Sequence, residues 1–419
     1  MPYLRELFGQ VITSLLRNKM RSALTMSGIA WGVASIVLIV AMGDGFKYGQ
    51  RDRFRQLGEN IVIVFNGRTE KQVGGRRAGR SIRLNYQDVR DIRAECWLVS
   101  RAVAELQNQA RAVSSYNSGT FSVFGVEPLY AQMRTIPVER GRFLTEQDNL
   151  EAARVAILGD NVRKQLYGEL PVAPGDRVAI NGIPFRIVGL MPAKTQDSSY
   201  NGLDSDKIFV PYSTMVHDLP PADANFRPGI VNDLIYVPAS LEKWKEARDQ
   251  VVRVLARNHR FERDDPSAVF IWDTVEDAQL VDKIFTSMTV FLGCIALVTL
   301  TLGGVGVMNI MLVAVAERTP EIGLRKALGA TNRRILADFL LEGILLAVCS
   351  GLAGWLGAYA LAGAVNQLPK QEMFGGLPVD GVTTAMAFGA LGVIAVTSAL
   401  WPAWRAAHLT PVEALRHER

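Results

Sequence analysis

The sequence has 419 residues, 49% of them hydrophobic, and a small formal net charge of +5. Its 46 lysines and arginines are spread along the chain, which excludes the concentrated basic face that nucleic-acid binding requires. The four histidines are scattered and the three cysteines show no disulfide pattern. We therefore expect no metal site and no nucleic-acid partner.

Residues 1–21 are predicted to form an amphipathic helix at the cytoplasmic membrane interface. Apolar side chains recur there at helical spacing on one face. These side chains are Leu4, Leu7, Phe8, Val11, Ile12, Leu15 and Leu16. A helix that packs on a partner protein is the alternative interpretation.

Residues 22–43 carry no charge and are long enough to cross a bilayer, which takes about 20 apolar residues. A cleaved signal peptide would have a shorter apolar region, of about 7–15 residues, followed by a cleavage site of small residues. We therefore predict transmembrane helix 1 here, with helix-like sequence continuing to residue 56. Gly28, Gly32 and Ser35 share one face that permits close packing, either within one chain or along a homodimer seam.

Residues 44–283 are predicted to form a large extracytoplasmic α/β domain, built from two βαβ halves with an inserted β-rich lobe near residues 129–227. The predicted elements of the two halves are strands at 61–65, 121–126, 234–237 and 269–272 and helices at 86–94 and 241–258. The predicted strands of the inserted lobe are 155–158, 178–180, 184–189 and 208–210. Asn181 and Gly182 indicate a hairpin turn in this lobe, because both tolerate a positive φ.

Two parts of this domain are predicted to be loops. Residues 66–81 are rich in glycine and arginine, which indicates either a solvated mobile loop or a docking surface for an acidic partner. Asp204 and Asp206 are predicted to be ordinary loop residues.

Residues 284–316 carry no charge over 33 residues, which as a helix would span about 50 Å against a hydrocarbon core of about 30 Å. Transmembrane helix 2 must therefore tilt or extend beyond the membrane as a stalk. Gly303 and Gly306 allow close packing on it. Residues 339–365 and 382–402 are predicted as helices 3 and 4, the last stopped by Pro402. Buried helices of a soluble protein are the alternative, but four such lengths in one chain argue against it.

Lysines and arginines in the short flanking segments predict the orientation. They precede helix 1, occupy residues 317–338 and follow helix 4, whereas the loop at 366–381 has only Lys370. Both termini, residues 317–338 and the tail at 403–419 are therefore predicted to be cytoplasmic, in a protein of the bacterial inner membrane.

Residues 317–338 carry their own helix signals between two apolar runs. Thr319 can cap a helix whose first turn holds Pro320. Glu321 and Arg325 are spaced for an ion pair, and Gly329 can adopt the left-handed conformation that ends a helix. We predict a short rigid helix at the cytoplasmic surface, which is either an interfacial turn or a lever seated in a groove of a cytoplasmic protein.

The sequence shows no catalytic motif. It lacks the phosphate loop G-x-x-x-x-G-K-[ST], the zinc motif H-E-x-x-H and the nucleophile motif G-x-S-x-G. We therefore predict no catalytic residue, no bound cofactor and no enzymatic activity in this chain.

Five stretches resemble signature regions of MacB/FtsX-like ABC transporter permeases. They are residues 19–45, 141–162, 178–194, 303–331 and 402–415, which begin KMRSALTMSGIAWG, GRFLTEQD, VAINGIPF, GGVGVMNIM and PAWRAAHL. The match runs nearly end to end, in an order and spacing specific to the family. The outer domain is of MacB size, but the sequence lacks the fused ATPase domain of MacB itself.

The resemblance implies a homodimer, or a heterodimer with a close paralogue, bound to separate ATP-binding cassette ATPase subunits. In this family helices 1 and 2 form the dimer contact and the stalk, which fits Gly28, Gly32, Ser35, Gly303 and Gly306. The coupling element of the family falls on residues 317–330. The ATPase contacts that it implies are Glu317, Arg318, Glu321, Ile322, Gly323, Leu324, Arg325, Lys326, Ala327, Leu328, Gly329 and Ala330.

The resemblance also implies mechanotransmission, in which ATP-driven closure of the cytoplasmic ends moves the outer domains. In MacB-type pumps this motion expels drugs, peptides or other periplasmic substrates through a periplasmic adaptor and an outer-membrane channel. Efflux is the leading hypothesis. Lipoprotein release, and transmembrane signalling that regulates an extracytoplasmic enzyme, are the alternatives.

Overall fold

The computed structural model describes residues 19–58, 60–194, 196, 199–221, 227–369, 374–411 and 414. The amphipathic helix predicted at residues 1–21 therefore lies almost wholly outside the described residues. The chain divides into two compact units, a helical unit (residues 1–50 and 281–419) and a sheet domain (residues 51–280).

The helices are α1 (Lys19–Leu57), α2 (Tyr86–Glu95), α3 (Tyr130–Met133), α4 (Glu146–Leu150), α5 (Asp160–Tyr167), α6 (Tyr212–Asp218), α7 (Trp244–His259), α8 (Thr274–Glu317), α9 (Thr319–Ala327), α10 (Asn332–Asn366) and α11 (Gly381–His408). The strands are β1 (Val62–Asn66), β2 (Val99–Val113), β3 (Ser118–Val126), β4 (Arg140–Gly141), β5 (Val155–Leu158), β6 (Arg177–Ile180), β7 (Ile183–Leu190), β8 (Lys207–Pro211), β9 (Asp233–Pro238) and β10 (Val269–Asp273). A 3₁₀ turn at Asp204–Asp206 precedes β8.

Four of the helices within the described residues, α1, α8, α10 and α11, are long and apolar enough to cross a membrane. This confirms the four spans predicted from the sequence. All four helices extend beyond the predicted spans. α1 continues to Leu57, α8 begins at Thr274, α10 begins at Asn332 and α11 ends at His408.

The last of these helices, α11, does not stop at Pro402 as predicted but continues to His408. Proline removes one N–H group from the helical hydrogen-bond ladder. The turns that follow are nevertheless held, because Ala403, Ala406 and Ala407 are buried in the apolar core of the helical unit. Packing of these small side chains thus outweighs the helix-breaking tendency of Pro402.

Glycines bring α1 and α8 into close contact within the chain. A Cβ atom at Gly32 would lie 2.8 Å from the Cα of Leu300, and one at Gly303 would lie 2.8 Å from the backbone nitrogen of Ile29. Gly28 faces Gly303 in the same contact. Two further predicted packing residues are half-buried: Ser35 and Gly306. The close approach is therefore used inside one chain, and the homodimer stays a prediction.

The sheet domain is built, in the described part of the chain, on one ten-stranded sheet of order β10-β1-β9-β2-β3-β8-β5-β7-β4, while β6 pairs with β2 and β7. The strands of the two predicted halves are neighbours at one end of this sheet. The inserted strands continue it through the parallel pair β3–β8 and the antiparallel pair β2–β6. The α/β class is confirmed, and the insertion belongs to the same sheet.

The strand β2 was not predicted, although it is the longest strand described. Its sequence, VSRAVAELQNQARAV, shows no clean alternation of apolar and polar residues. Ala102 and Ala104 face one core and Val103 faces the other, while Glu105 is fully buried. Because both faces of the strand are covered, the alternation typical of a half-exposed strand is absent.

The arginine-rich loop at 66–81 is fixed at its base. The Asp265 carboxylate accepts a hydrogen bond from the backbone amide of Lys71 (3.0 Å). The Arg80 guanidinium donates to the carbonyl of Arg260 (2.9 Å), just after α7. The base of the loop therefore differs from the mobile segment expected, because residues near the end of α7 supply its polar partners. Two arginines are exposed at its tip: Arg76 and Arg77.

Replacing Gly32 by leucine should destabilise the helical unit. The added Cβ would meet backbone of α8, which cannot move aside as a flexible side chain could, and overpacking of this kind costs about 1–3 kcal/mol. Gly293→Leu on α8 is the matched control, because a Cβ there meets nothing within 4 Å. Thermal unfolding of the detergent-solubilised chain measures the difference, and equal midpoints for the two variants would contradict the contact.

Candidate functional site

The short helix α9 connects α8 to α10 and is built from local signals. Pro320 lies in its first turn, and Gly329 has a φ of +98° just after its end. The Arg325 guanidinium contacts the Glu321 carboxylate at 2.5 Å. Thr319 differs from its predicted role, since the residue at the N-cap position is Arg318. The Thr319 hydroxyl instead donates to the Val315 carbonyl (2.9 Å) and so completes the end of α8.

An ion pair holds the start of α9 against α10. The Arg318 Nη1 atom lies 3.2 Å and 3.0 Å from the two carboxylate oxygens of Glu342. The Glu342 side chain is buried, and it is the only charged residue in the stretch of α10 from residue 339 to residue 365. An unpaired carboxylate there would be costly, so the pair ties α9 to α10 through a contact that is expensive to break.

The end of α9 is held against the end of α11. The Lys326 ammonium donates to the carbonyls of Ala407 (2.6 Å) and Leu409 (2.7 Å). The last carbonyls of a helix lack partners within it, and a cation suits their partial negative charge. Between these two anchors, a Cβ atom at Gly323 would lie only 2.5 Å from the Cβ of Ala414. The segment that follows α11 therefore packs directly on α9.

The exposed surface of α9 and of the residues next to its two ends carries two acids followed by two leucines. Glu317, Glu321, Leu324 and Leu328 are all exposed. Glu321 and Leu324 lie in α9 and Leu328 follows its last residue, so their spacing of three and four residues puts these three on one helical face, whereas Glu317 is the last residue of α8. Leu324 is 55% exposed and Leu328 is 81% exposed, so a short helix leaves two large apolar side chains uncovered. These four residues are called the outer face of α9 hereafter.

The twelve residues predicted as ATPase contacts differ in their exposure and in their contacts within the chain. Besides the outer face, Ala327 and Gly329 are exposed, while Arg325 and Ala330 are partly buried. Ile322 and Gly323 are buried. Arg318 and Lys326 are engaged inside the chain, so they position α9 and are not part of its free surface.

A cluster of buried charges in the sheet domain was missed by sequence reasoning. Asp204, predicted to be a loop residue, is fully buried in the 3₁₀ turn before β8. Its carboxylate contacts Arg134 (3.2 Å), Lys194 (2.8 Å) and Lys207 (3.0 Å). Burial by itself raises the pKa of Asp204, but the three cations outweigh it, so the pKa lies below its ordinary value. Asp206, its neighbour, is exposed as predicted.

Two carboxyl groups lie together on the neighbouring strands β2 and β9. The Glu105 carboxylate accepts hydrogen bonds from the hydroxyls of Tyr130 and Tyr200, both at 2.5 Å. Asp233 is paired with Glu105 across the two strands. Burial, and then the charge of Glu105, raises the pKa of Asp233 to about 9. Asp233 therefore keeps its proton at neutral pH.

Comparison with known families matches both units of the chain. Residues 22–254 match the family described as the MacB-like periplasmic core domain, and residues 293–411 match the one described as the FtsX-like permease C-terminal. The chain is 31% identical to the macrolide export ATP-binding/permease protein MacB of Bdellovibrio bacteriovorus, over 99% of this chain and 62% of that protein. It thus spans less than two thirds of the length of the MacB relatives.

Other similar proteins include a permease and a solved domain. The chain is 30% identical to the uncharacterized ABC transporter permease YknZ of Bacillus subtilis, over 99% of this chain and 100% of that protein. The crystal structure of the periplasmic region of MacB from Actinobacillus actinomycetemcomitans aligns with a TM-score of 0.43 and 19% identity, over 56% of this chain and 97% of that one.

Replacing Asp233 by asparagine should change how stability depends on pH. The pKa of an unfolded aspartate is near 3.8, so between about pH 4 and pH 9 the folded state holds a proton that the unfolded state has lost. The free energy of unfolding of the wild type should therefore fall as pH rises through this window, by at most about 1.4 kcal/mol per pH unit. Asp233→Asn should remove that slope.

The measurement is chemical unfolding of the sheet domain within the full chain, at several values between pH 6 and pH 8.5. Glu242→Gln, at an exposed position, is the control and should keep the slope of the wild type. A wild-type slope that persists in Asp233→Asn would show that this carboxyl group does not hold the proton.

Proposed function

This chain belongs to the MacB/FtsX-like family of ABC transporter permeases, and from that premise we propose that it couples a separate ATP-hydrolysing subunit to movement of the sheet domain. The observation that carries the proposal is the pairing of an exposed face on α9 with rigid anchors behind it. The chain itself is then a non-catalytic, multi-pass subunit of the inner membrane.

The outer face of α9 defines the kind of groove that it fits. Leu324 and Leu328 are large apolar anchors, which gain most by entering a desolvated pocket. Glu321 precedes them on the same helical face and Glu317 is exposed at the end of α8, and both carboxylates suit a basic rim. The partner surface is thus a groove with an apolar floor and cationic side chains at one end, on the ATPase subunit.

The anchors behind α9 convert a push on this face into movement of three long helices. α9 follows α8 directly, Arg318 ties it to α10, and Lys326 ties it to α11. A loop without such contacts would absorb displacement by changing its own conformation. A helix held at both ends passes the displacement to its neighbours.

Charge distribution supports an orientation with α9 in the cytoplasm. Basic residues precede the first apolar span (residues 22–43) and follow α11, and five more lie in residues 317–338. These five are Arg318, Arg325, Lys326, Arg333 and Arg334. On this proposal the sheet domain lies on the periplasmic side and both termini are cytoplasmic.

The assembly we propose is a homodimer, or a heterodimer with a close paralogue, bound to two ATPase subunits, with a periplasmic adaptor and an outer-membrane channel. The relatives described as macrolide export proteins favour efflux of drugs, peptides or other periplasmic substrates. Lipoprotein release and regulation of an extracytoplasmic enzyme are alternative functions that would use the same movement. Deletion of the chain would sensitise cells to exported compounds if the function is efflux, but not under either alternative.

Replacing Leu324 and Leu328 together by serine should weaken binding of the ATPase subunit. Loss of two apolar anchors at about 1–2 kcal/mol each corresponds to a decrease in affinity of about thirtyfold or more. Affinity of the purified chain for its co-expressed ATP-binding subunit is the measurement. Leu368→Ser is the control, because Leu368 is equally exposed but lies in the loop after α10. Unchanged affinity in the double variant would refute the assignment of the outer face.

Replacing Lys326 by methionine should separate binding from movement. The outer face stays intact, so the ATPase subunit should bind and hydrolyse ATP within about twofold of the wild-type rate, but α9 loses its hold on α11. Spin-label distances between the sheet domains of the two copies in the proposed dimer should then cease to respond to nucleotide.

Arg333→Met removes a charge from the same segment at an exposed position and should retain the response. If Lys326→Met also retains it, the anchor on α11 is not part of the coupling.

A further inference from the structure

Arg134, which follows α3, makes contacts that the function of α9 does not explain. Its side chain is fully buried, and its guanidinium reaches two different elements at once. One terminal nitrogen donates to the carbonyl of Leu57, the last residue of α1, and the other lies 3.2 Å from the Asp204 carboxylate. The guanidinium also lies over the Tyr200 ring, 4.7 Å from its centre.

The Leu57 carbonyl needs such a partner. It is at the C-terminal end of a long helix, where carbonyls lack intrahelical donors and the helix carries partial negative charge. The Leu57 side chain is buried in the same core as Tyr130 and Met133. Gly58 has a φ of +147°, and a Cβ there would lie 2.5 Å from the Met133 carbonyl oxygen. The end of α1 is thus seated closely on α3.

The turn of α1 before this seat is not packed in the same way. A crevice of about 590 Å³ opens there, lined by Asp52, Arg55 and Gln56 on one side. Residues Ala131, Gln132 and Thr135 line the other side. The last residue of α1 is therefore held by direct contacts, while the crevice leaves space beside the preceding turn.

The contacts of Arg134 are connected to the centre of the sheet by further hydrogen bonds. Asp204, the partner of Arg134, also binds Lys207 on β8 (3.0 Å). The Lys207 ammonium donates to the Asn201 side-chain carbonyl (2.6 Å), and the Asn201 amide donates to Glu105 on β2. A continuous series of charge-assisted hydrogen bonds thus leads from the end of α1 to two strands that both pair with β3.

We propose that Arg134 is the joint through which displacement of α1 enters the sheet domain. The proposal rests on the proposed function only for the source of the displacement. Arginine is suited to this place because its planar fork binds Leu57 and Asp204 simultaneously, whereas a lysine ammonium is a single point of attachment. Arg134→Lys keeps the charge that Asp204 requires but removes the double attachment.

The test measures how firmly the end of α1 is held. Spin labels are placed at Arg51→Cys on α1 and Arg177→Cys on β6, both exposed, in the full chain with its three native cysteines replaced by alanine. The distance distribution between the labels is recorded with the ATPase subunit bound, before and after trapping of nucleotide. Because a firm joint moves both labels together, the wild-type distribution should stay narrow with and without nucleotide. Arg134→Lys should broaden the distribution about twofold.

Arg93→Lys is the matched control. Arg93 pairs with Glu127 at 2.6 Å and donates to the Ala102 carbonyl, so it has similar chemistry in the same domain without touching α1. A merely structural role for Arg134 would lower the unfolding midpoint in both variants and leave both distributions narrow. That result would overturn the proposal.

The remaining outcomes are also decisive. If the distance between the sheet domains of the two copies in the proposed dimer does not respond to nucleotide in the wild type, while Arg134→Lys still broadens the distribution between residues 51 and 177, the proposed function is refuted and the joint stands. If Arg134→Lys yields no folded protein, Gly58→Ala disturbs the same seat from the side of α1. A distribution that stays narrow in Gly58→Ala would overturn the joint.

Discussion

The polar groups at the ends of the long helices need hydrogen-bond partners, and this chain supplies many of them from side chains of other elements. Lys326 of α9 binds the last carbonyls of α11, and Arg134 binds the carbonyl that ends α1. Local caps do the same work at the other ends, where Thr331 begins α10 and Asp380 begins α11. The hydrogen bonds that satisfy these helix ends also connect different elements. They therefore fix the positions of α9 and of the end of α1.

Buried charged groups are also held by partners from other elements. Glu342 lies in an apolar helix and Asp204 lies in the interior of the sheet domain, and each is paired with a cation. Breaking such a pair leaves an uncompensated charge, which is more costly than the pair itself is stabilising. Contacts of this kind give little net stability but hold a particular geometry. That property suits a protein whose proposed task is to pass on displacement.

Features that depend on neighbours in sequence could be predicted, and features that depend on distant partners could not. The helix α9 could be predicted because its signals act within one or two turns. These signals are Pro320, Gly329 and the pair of Glu321 with Arg325. Arg318 binds a residue 24 positions away and Lys326 one 81 positions away, so no local pattern indicated these partners, and both residues were predicted as ATPase contacts. The apolar spans of the four long helices could also be predicted, since the thickness of a bilayer sets their minimum length directly.

The strand β2 and the buried Asp204 were not predicted for the same reason, which is that their partners are distant in sequence. Polar residues in β2 and the acid Asp204 look like surface residues, because sequence patterns assume that charged groups face water. Their partners come from separate strands and turns, which no spacing rule joins. Pro402 failed as a stop signal for a related reason, since buried alanines after it supply packing that propensity ignores.

The pairing of β3 with β8, and of β2 with β6, carries one consequence for how the sheet domain works. The inserted strands share an unbroken ladder with the strands around them. A hinge across that ladder would rupture several backbone hydrogen bonds in the interior of the domain. A movement of the proposed kind would therefore displace the sheet as a whole and leave the pairing of its strands unchanged.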